Sequence, residues 1–354
     1  MKAQILHAIG DIRLEEIEKP VPKEGEVIIK VKAAGICGSD IPRIYKTGTY
    51  HYPLIPGHEF SGEVVELGDR VDSKWKGKAV GIFPLIPCKA CNPCKQKKYE
   101  MCKHYNYLGS RTAGGFAEYV AVPEWNLLEL PDVVTYEQAA MLEPMAVAVH
   151  AMRQIAPMKE ETVAVCGLGT IGMLLSMFLL DAEIEKLLVI GNKKFQKEQA
   201  IKLGISEKQI LIVDSNVNES TSVKSWVLDH TEGLGVDVFF ECVGKNETVI
   251  QGMDVVAAGG RMQLVGNPAS DMIFPKDVYW KILRSQLTVK GTWNSSYTGS
   301  SDDDWHYVLE RLVSGNIHPE EFITGSYALS DLQKGLEVMR DKSRDYLKEM
   351  MLEK

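Results

Sequence analysis

Cys88, Cys91, Cys94 and Cys102 are separated by two, two and seven intervening residues in one short run. Spacing this tight lets a single loop wrap one ion, and four thiolates complete tetrahedral coordination with no position open to a substrate. The spacing therefore predicts a structural Zn²⁺ site in a lobe spanning residues 84–104. The competing reading is a disulfide cluster, but a chain of 354 residues needs no such staple to hold a core.

A second set of residues is scattered. Cys37 lies in Ala34-Gly35-Ile36-Cys37-Gly38-Ser39-Asp40, His58 and Glu59 follow Pro56-Gly57, and Glu143 precedes Pro144. Taken singly, each has a plain explanation, since a buried Cys often serves only as a small hydrophobe. Taken together, thiolate, imidazole and carboxylate, with a fourth position for water or an alcohol oxygen, have the composition of a catalytic Zn²⁺ site.

The third motif is Gly167-Leu168-Gly169-Thr170-Ile171-Gly172. A lone Gly-x-Gly-x-x-Gly is weak, but this one follows the apolar run Thr162–Cys166 and opens an apolar helix reaching Leu180. In that context the first glycine permits a tight turn, the second lets a pyrophosphate approach the backbone, and the third allows close helix–strand packing. The pyrophosphate would rest on the helix N-terminus, where unpaired N–H groups and the helix dipole favour an anion. The next strand, Leu187 to Ile190, runs into Gly191-Asn192-Lys193-Lys194, with no acid to bind a ribose 2′-hydroxyl. Glycine makes room for a 2′-phosphate, and Asn192, Lys193 or Lys194 can bond it, so NADP is expected ahead of NAD. A solvated lysine-rich loop is the alternative, and it keeps NAD open.

These motifs need two kinds of scaffold. As far as Val122 the chain reads as short β segments (Gly25 to Val31, Phe60 to Leu67, Ala79 to Phe83, Ala117 to Val122) broken by Gly, Pro and charged turns. After Pro144, strand and helix signals alternate as a doubly wound parallel sheet requires. From Ile282 a helix with Val308, Leu309 and Leu312 on one face precedes a charged segment expected to be helical from Asp331 to Glu349. The fold class is α/β.

In order, Gly35-Ile36-Cys37-Gly38-Ser39-Asp40, Pro56-Gly57-His58-Glu59-Phe60-Ser61-Gly62, the four-cysteine lobe, Leu142-Glu143-Pro144 and the glycine motif resemble the zinc-dependent medium-chain dehydrogenases over nearly the whole chain. Within them the chain looks most like the polyol branch, especially sugar-alcohol-phosphate dehydrogenases of the galactitol-1-phosphate kind. The resemblance implies a GroES-like catalytic domain (1–144 and 282–354) with a Rossmann domain (145–281) inserted. It implies catalytic metal ligands at Cys37, His58 and Glu143, with Glu59 ligating directly or through water. It further implies a hydroxyl at Ser39 near the substrate oxygen, Asp40 orienting the histidine, and cofactor contacts at Gly167, Gly169, Thr170, Ile171, Gly172, Asn192, Lys193, Lys194, Val243 and Val265. Pro42 stands where some relatives carry a relay histidine, which leaves Ser39, Glu59 or water as the proton route.

The activity so implied is hydride transfer between a sugar alcohol, phosphorylated in the favoured reading, and a nicotinamide cofactor, giving the ketose. With two carboxylates and one thiolate the site is harder than a two-cysteine site, so Zn²⁺ is expected and Mn²⁺ is compatible. Arg43, Lys46, Lys281 and Arg284 are candidate phosphate contacts, and Trp293, Asn294 and Ser295 candidate pocket residues. The rivals are an unphosphorylated polyol, a secondary alcohol or L-threonine as substrate, or a non-enzymatic zinc-stabilised nucleotide-binding protein.

Composition narrows the partners. A net charge of −8 disfavours nucleic acid. No run of about 18 apolar residues offers a membrane span, and Met1 to His7 has no signal-peptide core. A cytoplasmic homodimer or homotetramer acting on a small molecule is expected.

Overall fold

The computed structural model describes residues 1–213, 222–268 and 270–353. The chain divides into two compact units, Met1–Ala146 with Ser295–Lys354, and Val147–Asn294.

The first unit is built on a seven-stranded sheet. Its path runs Ile323–Tyr327, Lys348–Leu352, Glu26–Ile36, Glu59–Leu67, Ala79–Ile82 and Leu127–Glu129, with Tyr119–Pro123 also paired to Glu26–Ile36. The long strand Glu-Val-Ile-Ile-Lys-Val-Lys-Ala-Ala-Gly-Ile is rich in β-branched residues that suit a pleated, half-buried surface. Val27, Ile29, Val31, Phe60, Val64, Val80 and Val122 lie together in its core. Register matters for chemistry, because Glu349 pairs with Ile36 on one side and Gly35 pairs with Glu59 on the other. Cys37, Glu59 and Lys348 are thereby brought to one end of three adjacent strands. Further along the chain, Tyr297 stacks on Phe83 with centroids 4.8 Å apart and donates its hydroxyl to the Leu127 carbonyl at 2.7 Å, which fastens the returning segment to this unit.

The second unit holds six parallel strands in the order Ile210–Ile212, Lys186–Gly191, Thr162–Cys166, Val236–Glu241, Val256–Leu264 and Thr288–Gly291. Counting from Thr162–Cys166, that order is 3-2-1-4-5-6, the doubly wound arrangement with its switch point beside the first strand. Its central strands read as unbroken apolar runs because helices cover both faces. Helix Thr170–Asp181 is apolar nearly all round and is buried from Gly172 to Leu179.

Two expectations from the sequence need correction. The second unit extends to Asn294 rather than ending at 281, because helix Lys276–Arg284 crosses that boundary and Thr288–Gly291 supplies the sixth parallel strand. The charged helix foreseen from Asp331 to Glu349 ends at Asp341. Lys342 takes a left-handed φ of 51°, and Lys348–Leu352 forms a buried strand. The strand's two charges are paired, Lys348 with Glu59 and Glu349 with the exposed Arg344 at 2.5 Å, which lets them lie in a buried strand rather than on a solvated helix face.

Candidate metal and nucleotide centres

In the cysteine lobe all four sulfurs lie within 4.8 Å of one another. Cys91 and Cys94 are 3.5 Å apart, Cys91 and Cys102 3.9 Å, and Cys88 and Cys94 4.0 Å. A Zn–S bond of about 2.3 Å sets tetrahedral edges of about 3.8 Å, so the spread fits one ion. None of the four is in a disulfide. Backbone N–H groups at Cys94 and Lys103 draw the Cys91 thiol down to about 6, whereas burial pushes Cys94 up to about 12.

Cys37, His58 and Glu59 form the second group whose ligand atoms lie within 4.8 Å of one another. Each sits at a strand end: Cys37 follows Glu26–Ile36, and His58 immediately precedes Glu59–Leu67. Gly57, at φ +94°, turns the chain into His58, and a Cβ there would strike the Phe116 ring at 2.5 Å. A Cβ on Gly35 would meet Glu59 Oε2 at 2.3 Å. Only glycine therefore lets the carboxylate cross the neighbouring strand.

The surroundings favour positive charge. Burial opposes ionisation of His58, but Asp40 and Cys37 outweigh it and hold the imidazole well above its usual range. Asp40 Oδ1 lies 3.4 Å from His58 Nδ1, yet the alignment is poor and Nδ1 is a buried nitrogen without a hydrogen bond. Nδ1 faces Asp40, which leaves the opposite ring nitrogen for a metal, and a thiol, an imidazole and a carboxylate converging within 4.8 Å are a donor set that fits zinc. Ser39 donates its hydroxyl to Cys37 Sγ at 3.3 Å. Asp40 accepts from the Cys37 amide at 3.1 Å and from Arg43 at 2.6 Å, so it braces the cysteine turn as well as facing the histidine. Arg43 is committed to that contact, which weakens it as a phosphate ligand.

Glu143 departs from the expected ligand set. It is buried near the centre, but its Oε1 accepts from Tyr107 Oη at 3.0 Å and it is outside the three-residue group. Burial raises its carboxyl to about 7. Two residues that the sequence did not single out complete the centre. Tyr107 holds Glu143 and turns its ring edge to His58, centroids 5.8 Å apart. Lys348, itself buried, pairs with Glu59 Oε2 and donates to the Ile36 carbonyl at 3.3 Å. The only sequence signal for Lys348 is the apolar Met350-Met351-Leu352 run beside it.

At the glycine motif each residue has a separate role. Gly167, at φ +102°, faces Val243, whose Cγ2 a Cβ would meet at 2.6 Å, and a Cβ on Gly172 would strike the Gly167 carbonyl at 1.8 Å. Gly169 has nothing within 4 Å of its Cβ position. It caps the helix Thr170–Asp181 with no side-chain cap bond, so the space over the first turn, Thr170 and Ile171 included, suits an approaching pyrophosphate. Val243 and Val265 follow the carboxyl ends of the strands Val236–Glu241 and Val256–Leu264, the edge where such sheets bind ligands. At the second strand, a Cβ on Gly191 would meet Gln196 Oε1 at 2.7 Å. Gln196 also accepts from the Asn192 amide at 2.9 Å. Packing alone thus accounts for Gly191, and Lys193 caps the following helix from extended backbone.

The other candidates scatter. Lys281 donates to the Asp254 carbonyl, Arg284 stacks on Trp280 at 5.0 Å, Lys46 is exposed, and Trp293 is 58% exposed rather than a core residue. Ser295 accepts from Trp305 Nε1 at 3.0 Å and supports the aromatic cluster.

Residues 23–132 match the alcohol dehydrogenase GroES-like domain, and residues 170–314 match the zinc-binding dehydrogenase family. An L-threonine 3-dehydrogenase from Caldanaerobacter subterraneus is 33% identical over 91% of both chains. The chain belongs to the zinc-dependent medium-chain dehydrogenases. This dehydrogenase is also similar to galactitol 1-phosphate 5-dehydrogenase of Escherichia coli K12, at 29% identity over 91% of its length and 92% of the relative's. The crystal structure of galactitol-1-phosphate dehydrogenase from Escherichia coli superposes with a TM-score of 0.90 over the full length of both chains at 28% identity. A Sinorhizobium meliloti protein solved with NADP bound gives 0.89 over 99% of both chains at 25% identity. The first unit is therefore GroES-like and the second Rossmann-like, and the dehydrogenase acts on alcohols or polyols. Membership in this family removes the non-enzymatic reading.

No helix among the described residues is long and apolar enough to cross a membrane.

Proposed function

We propose that this dehydrogenase oxidises a sugar alcohol carrying a phosphate to the ketose, with NADP preferred over NAD. One observation carries the catalytic part: three buried or half-buried donors of different chemistry, Cys37, His58 and Glu59, converge within 4.8 Å. The similarity to galactitol 1-phosphate 5-dehydrogenase supports the substrate class.

Cys37, His58 and Glu59 would hold the catalytic Zn²⁺, with Mn²⁺ compatible, and Glu143 stands next to them. Bound there, the ion supplies Lewis acidity that lowers the pKa of a substrate hydroxyl. The residues do the rest. Lys348 holds Glu59 in place, Tyr107 orients Glu143, and Asp40 with Ser39 fixes the cysteine turn. Ser39 and Glu59 remain the routes by which the hydroxyl proton departs, and Glu143, with its carboxyl at about 7, adds a third group able to hold a proton near neutral pH. The open space over Gly169 takes the cofactor pyrophosphate. The absence of an acid after Ile190, with Asn192, Lys193 and Lys194 following, supports NADP.

A homodimer in the cytoplasm belongs to the same proposal. The edge strand Thr288–Gly291 is exposed at all four residues, and an open edge is a ready pairing surface.

The experiment is a panel of sugar alcohols, their phosphates and L-threonine against NADP and NAD, with zinc measured on the same sample. Oxidation of none of them by fully zinc-loaded protein would sink the reading. A preference for NAD that survives Lys193→Ala would overturn the cofactor choice alone.

A further inference from the structure

One basic side chain, on the loop that also carries Tyr105 and Tyr107, has no acidic partner among the described residues. Arg111 stacks between two tyrosines, its guanidinium carbon 4.2 Å from the ring centroids of both Tyr50 and Tyr105. It donates to the Tyr105 carbonyl at 3.2 Å and to Tyr50 Oη at 3.2 Å, both neutral acceptors. Its Nε is buried with no acceptor at all. A guanidinium offers five N–H groups in a planar fork, so this one keeps donors and an uncompensated charge.

The side chain is also pre-set. The Arg111 amide donates to the Tyr107 carbonyl at 2.9 Å. His51 Nε2 lies 3.1 Å from the Arg111 carbonyl, and Thr49 donates to the Ser110 carbonyl at 2.9 Å. These contacts lock the loop bearing Tyr50 to the loop bearing Arg111. The second loop leads to the metal centre: Tyr105 packs edge-on against Tyr107 with centroids 6.1 Å apart, and Tyr107 contacts both His58 and Glu143.

An unpaired, preorganised guanidinium flanked by aromatic faces gains most from a dianion that can accept two parallel N–H bonds. A neutral polyol hydroxyl would gain far less. We propose that Arg111, held between Tyr50 and Tyr105, receives the phosphate of a polyol phosphate whose hydroxyl is oxidised at the Cys37–His58–Glu59 centre. This inference rests on the dehydrogenase function proposed above and assigns its specificity to a residue other than Arg43, Lys46, Lys281 or Arg284.

The test compares wild type, Arg111→Gln and Arg111→Lys with galactitol 1-phosphate and galactitol, each variant checked for zinc content and melting temperature. In wild type, inorganic phosphate competes with the phosphorylated substrate. In Arg111→Gln the ratio of kcat/KM for the phosphorylated over the free polyol falls by about 10- to 100-fold, chiefly through KM, and inhibition by phosphate weakens in parallel; Arg111→Lys recovers part of it. An unchanged ratio in a folded, zinc-loaded Arg111→Gln overturns the proposal, as does a wild type indifferent to the phosphate. If wild type oxidises neither compound nor any other member of the polyol and polyol-phosphate panel, the proposed function fails and Arg111 is judged by calorimetric titration with inorganic phosphate, where equal binding by wild type and Arg111→Gln rejects it.

Discussion

Lys348 forms a buried ion pair with Glu59, joining the strand Lys348–Leu352 to the residue immediately after His58. The two side chains are 2% and 1% exposed, so neither charge has water to fall back on. Removing one partner of such a pair strands the other, at a cost of about 3–5 kcal/mol. Lys348→Met is therefore expected to lower the unfolding free energy by that order and to weaken zinc retention. The double variant Lys348→Met with Glu59→Gln should recover much of the stability. Denaturant unfolding of the three proteins decides it, and a harmless Lys348→Met would show that the pair carries no such weight.

Gly169 and Gly172 should respond oppositely to substitution. Nothing occupies the space a Cβ on Gly169 would enter, whereas a Cβ on Gly172 would strike the Gly167 carbonyl at 1.8 Å. Gly169→Val should leave the melting temperature near wild type yet raise KM for the dinucleotide by at least about 10-fold. Gly172→Val should cost several kcal/mol of stability through overpacking. If Gly169→Val binds NADP normally, the pyrophosphate does not pass over that turn.

Metal content should be two zinc ions per chain. Cys37→Ser should lose one ion and lower kcat by about 10³-fold or more without unfolding the protein. Cys91→Ser should lose the other ion and lower stability. Elemental analysis alongside thermal melts checks both. A single ion in wild type would contradict the assignment of two centres.

A pH dependence follows from Glu143, whose carboxyl burial raises to about 7. In the unfolded chain a glutamate titrates near about 4.3. Between those values the folded state holds a proton that the unfolded state has lost, so stability must fall as pH rises through the window, by up to about 1.4 kcal/mol per pH unit. Urea unfolding of metal-depleted protein from pH 4.5 to 7.5 should show this decline. Glu143→Gln should flatten it; identical slopes would assign the effect elsewhere.

The features legible in the sequence were those whose spacing is itself the geometry. The four cysteines sit within one lobe, so their separation along the chain sets their separation in space. The glycines of 167–172 lie on one strand–turn–helix, and Cys37, His58 and Glu59 fall at strand ends beside glycines. Lys348 and Tyr107 were not legible, because each acts through partners far along the chain, and Arg111 was not, because its second flanking ring, Tyr50, lies 61 positions away. Lys348 meets Glu59 across 289 positions, within a segment whose charges suited an exposed helix. The same limit misplaced the end of the second unit: Thr288–Gly291 is exposed at every residue, and an edge strand without an apolar face gives no period to read. The contact that holds Glu143, from Tyr107 Oη to Oε1, joins residues 36 positions apart and leaves no signal in the sequence.

The placement of Lys348–Leu352 also imposes an order on maturation. Cys37, His58 and Glu59 are all made in the early part of the chain, and the cation that steadies Glu59 arrives only after the entire nucleotide-binding unit has been translated. Until that strand is made, Glu59 lacks its partner and the oxidation centre stays unfinished. Trimming that removes Lys348–Leu352 should thus take out the strand between Ile323–Tyr327 and Glu26–Ile36 and leave Glu59 without its cation, so turnover and the stability of the first unit are lost together.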